Sequence, residues 1–312
     1  QNQTNMRFAA TIAFLCICST ANAYETGNLR TQQKTLTQKS KKYDGYESLR
    51  KAVRAHHPEM DRNRDTNPRI TGGGQASLGE YPYYVDLDGG CGASLIAPGV
   101  VLGAAHCGNY EGDEIKLSGY DGDKKVVREV DEVVVEQINH PGYRHGHHVN
   151  DVMLMRLNSS SVDFSGSPKL KLNWDEHNPT SGQTLTAIGS GAIHHDGNYT
   201  TIFKEVNVPY VDSKTCSEQW GDDDIGGDNQ SLMLCTGGAA VGQDACEGDA
   251  GGLLVIRNGH DEHTLVGIVS SGGVCGTKGG LRGVYARVSA YSSWIQDTVC
   301  KTWKVDADLC YE

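Results

Sequence analysis

The chain has 312 residues and a net charge of −11, with 38% apolar residues, 7% aromatics, 39 glycines, 8 prolines and 10 cysteines. That composition excludes a disordered chain and collagen, and no apolar run approaches the roughly 18 residues a spanning helix needs. The acidic balance excludes a nucleic-acid role driven by phosphate neutralisation.

In chain order, Met6-Arg7 is followed by an apolar run from Phe8 to Cys18 and then by Ser-Thr-Ala-Asn-Ala ending at Ala23. A positive start, an apolar stretch and a small-residue site make a secretory signal peptide, with cleavage expected after Ala23. The five residues ahead of Met6 do not fit that pattern, so residues 1–23 are read as upstream residues plus signal. Residues 24–69 hold eleven Lys/Arg against six Asp/Glu and no cysteine, whereas everything from Ile70 onward holds 16 against 33. A basic leader on an acidic body reads as a removable pro-segment or a plain linker. Within it, Glu47 to His56 could form a turn or two of helix.

From Ile70 the pattern is short β-branched runs, such as Tyr83 to Leu87, Val100 to Leu102, Val126 to Ile138 and Leu253 to Ile256, separated by Gly, Asn and Asp. This predicts an all-β sandwich or barrel assembly. One helix is predicted, Ser289 to Val299, with Ser289 as its cap and Tyr291, Trp294, Ile295 and Val299 near helical spacing. The acidic run Asp222 to Asp224 reads as an exposed loop. His145, His147 and His148 lie in a Gly-rich loop without a fourth ligand at the usual spacing, so no metal is expected, and no cofactor.

Three segments carry chemistry: CGASLIAPGVVLGAAHC over 91–107, NDVMLMRL over 150–157 and GQDACEGDAGG over 242–252. In this order they resemble the trypsin/chymotrypsin family of serine endopeptidases, over essentially all of residues 70–299. The resemblance implies two six-stranded antiparallel β-barrels with a C-terminal helix. It implies a histidine base, His106, oriented by a buried carboxylate, Asp151, with Ser270 supporting that carboxylate. The third member is missing, because the family's Gly-Asp-Ser-Gly-Gly is here Gly248-Asp249-Ala250-Gly251-Gly252. A methyl group cannot attack a carbonyl, and losing the serine costs on the order of a million-fold, roughly 8 kcal/mol of barrier.

The resemblance further implies an oxyanion hole from the main-chain N–H groups of Gly248 and Ala250. It implies a primary pocket with Asp244 at its base, selecting Lys or Arg, and Gly272 and Gly283 keeping it open; with Ser270 these are the substrate-binding set. Ser271 stands where the family has Trp, Val274 replaces a Gly and Leu253 a Pro. Arg69-Ile70 resembles the activation junction: a separate protease would cut after Arg69, and the freed Ile70 amine would pair with Asp249. By the same resemblance Cys91 pairs with Cys107, Cys216 with Cys235 and Cys246 with Cys275. Cys300 and Cys310 remain to close a C-terminal extension over 300–312, in an oxidising compartment. Asn158, Asn198 and Asn229 open glycosylation sequons.

Two functions stay open. One is a secreted, extracellular, non-catalytic homologue that binds protein or peptide ligands through Lys/Arg side chains, with no nucleic acid and no membrane span. The other is a trypsin-like endopeptidase cutting after Lys or Arg, in which Ala250 is an engineered or allelic inactivation. A structural or carbohydrate-binding role lacks an aromatic cluster to support it.

Overall fold

Strands form where apolar and β-branched residues recur with a period of two, because alternate side chains then share one buried face. The computed structural model describes residues 73–76, 80–87, 90–120, 126–159, 168–189, 204–220, 231–237, 249–271 and 283–311. The signal and pro-segment readings, the Asp222–Asp224 loop and the sequons at Asn198 and Asn229 lie outside these residues.

Six strands close the first barrel: β2 (Tyr84–Leu87), β3 (Cys91–Ala97), β4 (Val100–Gly103), β5 (Glu114–Tyr120), β6 (Val126–Asn139) and β7 (Met153–Leu157). They run in the order β2-β3-β4-β7-β6-β5, and β5 returns to pair with β2. The second barrel is a ring of β10 (Lys204–Val211), β11 (Met233–Thr236), β14 (Gly283–Arg287), β13 (Glu262–Ser271), β12 (Leu253–Arg257) and β9 (Thr184–Gly189), closed by β9 pairing with β10. Two short strands attach outside it. β1 (Gly74–Gln75) pairs with β10, and β8 (Lys169–Leu172) runs parallel to β13, a departure from the antiparallel pattern inside the rings.

The period of two divides the second barrel's residues between two cores. Leu185, Ala187, Val206, Val208, Tyr210, Leu254 and Tyr285 fill its interior. Their neighbours Leu253, Val255 and Ala286 belong instead to the larger core that holds Val101 and Leu154 of the first barrel. Each fully buried leucine or valine of this kind contributes about 1.5–3 kcal/mol relative to exposure. β12 is therefore buried on both faces, and this is the strand that follows the Ala250 turn.

The chain leaves β14 through a 3-10 turn, Val288–Tyr291, into a helix (α2, Ser292–Gln296) that widens into a π-helical turn over Asp297–Thr302. The predicted serine cap is not formed. The Ser289 hydroxyl is buried without a hydrogen-bond partner among the described residues, and the turn's own bond, Ser292 N–H to Ser289 O, takes up the backbone in its place. Tyr291, Ile295, Val299, Ala307 and Leu309 join the larger core, and the ring of His140, just beyond β6, meets Tyr291 and Trp294, which brings the segment after β14 back to the first barrel. An earlier helix was not predicted: α1, Ser213–Trp220, begins where both oxygens of Asp212 accept from Thr215, its backbone N–H and its hydroxyl, each at 2.9 Å. Disulfides join Cys91 to Cys107, Cys216 to Cys235 and Cys300 to Cys310. Cys246 and Cys275 lie outside the described residues.

Candidate functional site

β4 ends in Gly103, and the chain then makes a 3-10 turn over Ala105–Cys107. Ala105 and Cys107 are buried and Cys107 is bonded to Cys91 at the head of β3, so His106 between them is held outward on a fixed base. Its backbone N–H donates to Asp151 Oδ1 at 2.8 Å, and its Nδ1 lies 2.6 Å from Asp151 Oδ2. Asp151 is 1% exposed, just ahead of β7, and follows Asn150, whose φ of 58° turns the chain inward. Ser270, in β13 of the second barrel, donates its hydroxyl to the same Oδ2 at 2.5 Å. One carboxylate thus collects three donors from both barrels. Because an ionised carboxylate only accepts, Nδ1 carries a hydrogen, so that in the neutral imidazole Nε2 presents its lone pair, on a side chain that is 34% exposed.

The Asp249–Gly252 turn lies on the other side. Ala250 O accepts from Gly92 N at 2.7 Å, Gly251 N donates to Val269 O at 2.8 Å, and Gly252 N donates back to Asp249 O at 2.8 Å. Gly251 has a φ of 73°, and a Cβ there would press into the Gly92 carbonyl and stand 3.4 Å from Cys107 Sγ. Only glycine fits, for both reasons. The turn is therefore set against the disulfide that carries His106, and residue 250 in it is an alanine. Asp249 is 2% exposed, and its carboxylate lies in the space a side chain at Gly189 would take.

Among the remaining sequence-derived candidates, Gly283 opens β14, where a Cβ would meet Tyr285 Oη at 3.0 Å and Thr236 Oγ1 at 3.2 Å. Its small size serves barrel packing at least. Arg69, Ile70, Asp244, Gly248, Gly272 and Val274 lie outside the described residues. A shallow pocket of about 440 Å³ opens beside the His106 turn, lined by Gly108, Glu111, Gln137, Asn139, Tyr143 and His145. Cys91, His106 and Cys107 come close enough together to resemble a metal set, but both thiols are consumed by the disulfide. Lys204, which the sequence marks only as a lysine at the inward-facing parity of the apolar strand β10, is 8% exposed.

Two closed six-stranded barrels, with a histidine and a buried aspartate from the first and a serine from the second, define a chymotrypsin-type scaffold. The chain belongs to the trypsin family: the family profile described as Trypsin matches residues 70–295. It is 35% identical to Trypsin II-P29 of Gallus gallus over 239 residues, 74% of this chain and 89% of that protein. It is 32% identical to Transmembrane protease serine 11E of Mus musculus over 74% of this chain and 54% of that protein. It is 28% identical to the venom peptide isomerase heavy chain of Agelenopsis aperta over 72% of this chain and 98% of that protein. The chain thus spans about half the length of the mouse transmembrane protease and 38% of mouse Serine protease 56. Among the described residues no helix is long and apolar enough to cross a membrane.

Proposed function

We propose that the chain is a secreted trypsin-family homologue without peptidase activity, which binds exposed Lys or Arg side chains of other extracellular proteins. The observation that carries this reading is Ala250, a methyl group in a turn held by hydrogen bonds on both sides, beside a complete His106–Asp151–Ser270 arrangement. The base has no hydroxyl to deprotonate. Binding does not need that hydroxyl, since the pocket charge is assigned to Asp244 and the oxyanion donors to the main chain at Gly248 and Ala250. In this reading residues 1–23 direct secretion, 24–69 are removed by a cut after Arg69, 70–299 form the binding body, and 300–312 are a closed extension. Asn158, exposed at the end of β7, carries a glycan where the source permits it.

The intact geometry around Asp151 favours a second reading, a trypsin-like endopeptidase cutting after Lys or Arg in which Ala250 is an inactivating substitution. One experiment separates the two. The chain and its Ala250→Ser variant are cut after Arg69, and both are assayed for hydrolysis of an arginine amide and for benzamidine binding. Binding by both and hydrolysis by neither supports a homologue long committed to binding. Strong hydrolysis by Ala250→Ser supports the endopeptidase scaffold, and hydrolysis by the unaltered chain at ordinary protease rates would sink the inactive reading. Asp244→Ser is expected to abolish benzamidine binding; unchanged affinity removes the pocket assignment.

A further inference from the structure

The His106 ring has little freedom to turn over. Ala105 and Cys107 on either side of it are buried, Cys107 is bonded to Cys91, and Asp151 accepts both the backbone N–H at 2.8 Å and Nδ1–H at 2.6 Å. Ser270 holds that carboxylate in turn from the other barrel, at 2.5 Å. In the neutral ring Nε2 is then the atom with a lone pair to offer, and a side chain 34% exposed can be reached from solvent, whereas Asp151 at 1% cannot. In the family arrangement a serine hydroxyl donates to that lone pair; residue 250 is alanine and has no hydroxyl to give. Among the described residues nothing donates to Nε2.

An imidazole placed in this way has two chemistries open to it. As a base it needs a nucleophile to deprotonate, and as a nucleophile it attacks an acyl carbon itself. The leaving group decides which substrates the second can serve. In peptide cleavage the departing nitrogen needs a proton, and the imidazolium formed on taking the serine's proton returns it. When Nε2 itself bonds to the acyl carbon it carries no proton, and the remaining one, on Nδ1, is committed to Asp151. An amine therefore gets no help to leave. Phenolates and thiolates leave as stable anions and need none.

We propose that His106 is the nucleophile of an acyl-transfer activity toward aryl esters and thioesters, with water as the final acceptor and amides excluded. Nε2 bonds to the carbonyl carbon, the carbon–oxygen or carbon–sulfur bond breaks, and the phenolate or thiolate departs with the electron pair. The ring is now an N-acyl imidazolium, whose positive charge faces the Asp151 carboxylate through Nδ1–H. Water adds to the acyl carbon and gives one proton to solvent. The carbon–nitrogen bond breaks with its pair returning to Nε2, and a carboxylic acid is released. His106 is the catalytic residue and Asp151 a positioning residue. This goes beyond the binding reading: neither the cut after Arg69 nor the Asp244 pocket takes part, so the loss of benzamidine binding would leave it standing.

The test uses the full, uncut chain and two small acyl donors, diethyl pyrocarbonate and para-nitrophenyl acetate. Peptide mapping is expected to show His106 acylated by diethyl pyrocarbonate at least about tenfold faster than any other histidine of the chain. A rate no higher than theirs overturns the proposal, and this measurement needs no variant to fold. Hydrolysis of para-nitrophenyl acetate is expected to fall at least about tenfold in His106→Gln, and likewise in Asp151→Asn, whose amide would leave the hydrogen on Nε2. An unchanged rate in His106→Gln overturns it as well. In Ala250→Ser the acetyl group is expected to pass to the new hydroxyl, with acylation of His106 slowed. An arginine anilide cleaved by the unaltered chain as fast as the ester would mean that His106 acts as a base on water, and would overturn its assignment as nucleophile.

Discussion

Asp151 is the residue on which the site's chemistry turns. With the His106 backbone N–H, the His106 ring and the Ser270 hydroxyl all donating to it, the carboxylate fixes both the place and the tautomer of the imidazole. An amide at this position would offer a donor where the ring needs an acceptor, flipping the tautomer and turning the lone pair of Nε2 into an N–H. Where Ala250→Ser hydrolyses an arginine amide, Asp151→Asn in that background is therefore expected to lower kcat by roughly ten-thousand-fold. Ser270→Ala, which removes one donor of three, is expected to cost far less, about tenfold, because a lost hydrogen bond to a charged group is worth about 1.5–3 kcal/mol and His106 keeps two. Comparable losses from both substitutions would mean that Asp151 acts through packing and not through orientation of the ring.

At the scale of elements, the Asp249–Gly252 turn joins the barrels. Its carbonyl at Ala250 takes the Gly92 amide of β3, and its amide at Gly251 reaches Val269 of β13. Gly251→Ala would place a methyl against the Gly92 carbonyl in a left-handed backbone, so a loss of about 3 kcal/mol or more is expected, read as a lower urea midpoint. A midpoint shift below what 1 kcal/mol produces would show that the turn swings free at little cost. This turn, His106 and Asp151 were singled out in the sequence through three short stretches that resemble the trypsin family, and the structure brings His106 and Asp151 within hydrogen-bond distance. The strands Val100–Gly103 and Leu253–Arg257 were legible within a residue or so from their β-branched runs. Helix α1 was not, since SKTCSEQW has no apolar stripe and is announced only by the Asp212 cap. Replacing Asp212 by Ala is expected to cost about 1 kcal/mol, measured by urea unfolding. The parallel strand β8 was hidden for a similar reason: its four residues KLKL are mostly outside the core and gain their partner from β13, 93 residues on.

For the molecule as a whole, the question is what keeps two barrels in one orientation over a shared cleft. Apolar burial supplies most of it, but a polar clamp crosses the same boundary. The Tyr81 hydroxyl donates to Glu205, Arg257 pairs with Glu80 at 2.6 Å and with Glu205 at 3.3 Å, and the Tyr83 hydroxyl and His263 Nδ1 share a hydrogen bond. Tyr81 and Tyr83 lead into β2 of the first barrel, while Glu205, Arg257 and His263 belong to the second. His263 is 2% exposed and packs against both tyrosine rings. Burial, with Arg257 beside it and Glu80 opposing, pushes its pKa down to about 4. In the unfolded chain the same imidazole titrates near 6.5, so between these values the unfolded state binds more protons and stability falls as the pH drops. The contribution is full above about pH 6.5 and is lost toward pH 4, a swing of about 3 kcal/mol for a buried group. Glu262 and Asp212, whose carboxyls are held below the usual range by bonds from Lys171 and Thr215, also weaken the fold in acid, so the informative quantity is a difference. His263→Gln keeps a polar partner for Tyr83 and removes the titration. Urea midpoints at pH 7.5 and pH 4.5 are expected to fall by clearly less in this variant than in the parent chain, with the carboxylate losses common to both. An identical fall in the two proteins would mean that acid reaches the barrels by another route and that the Tyr83–His263 contact is indifferent to protons.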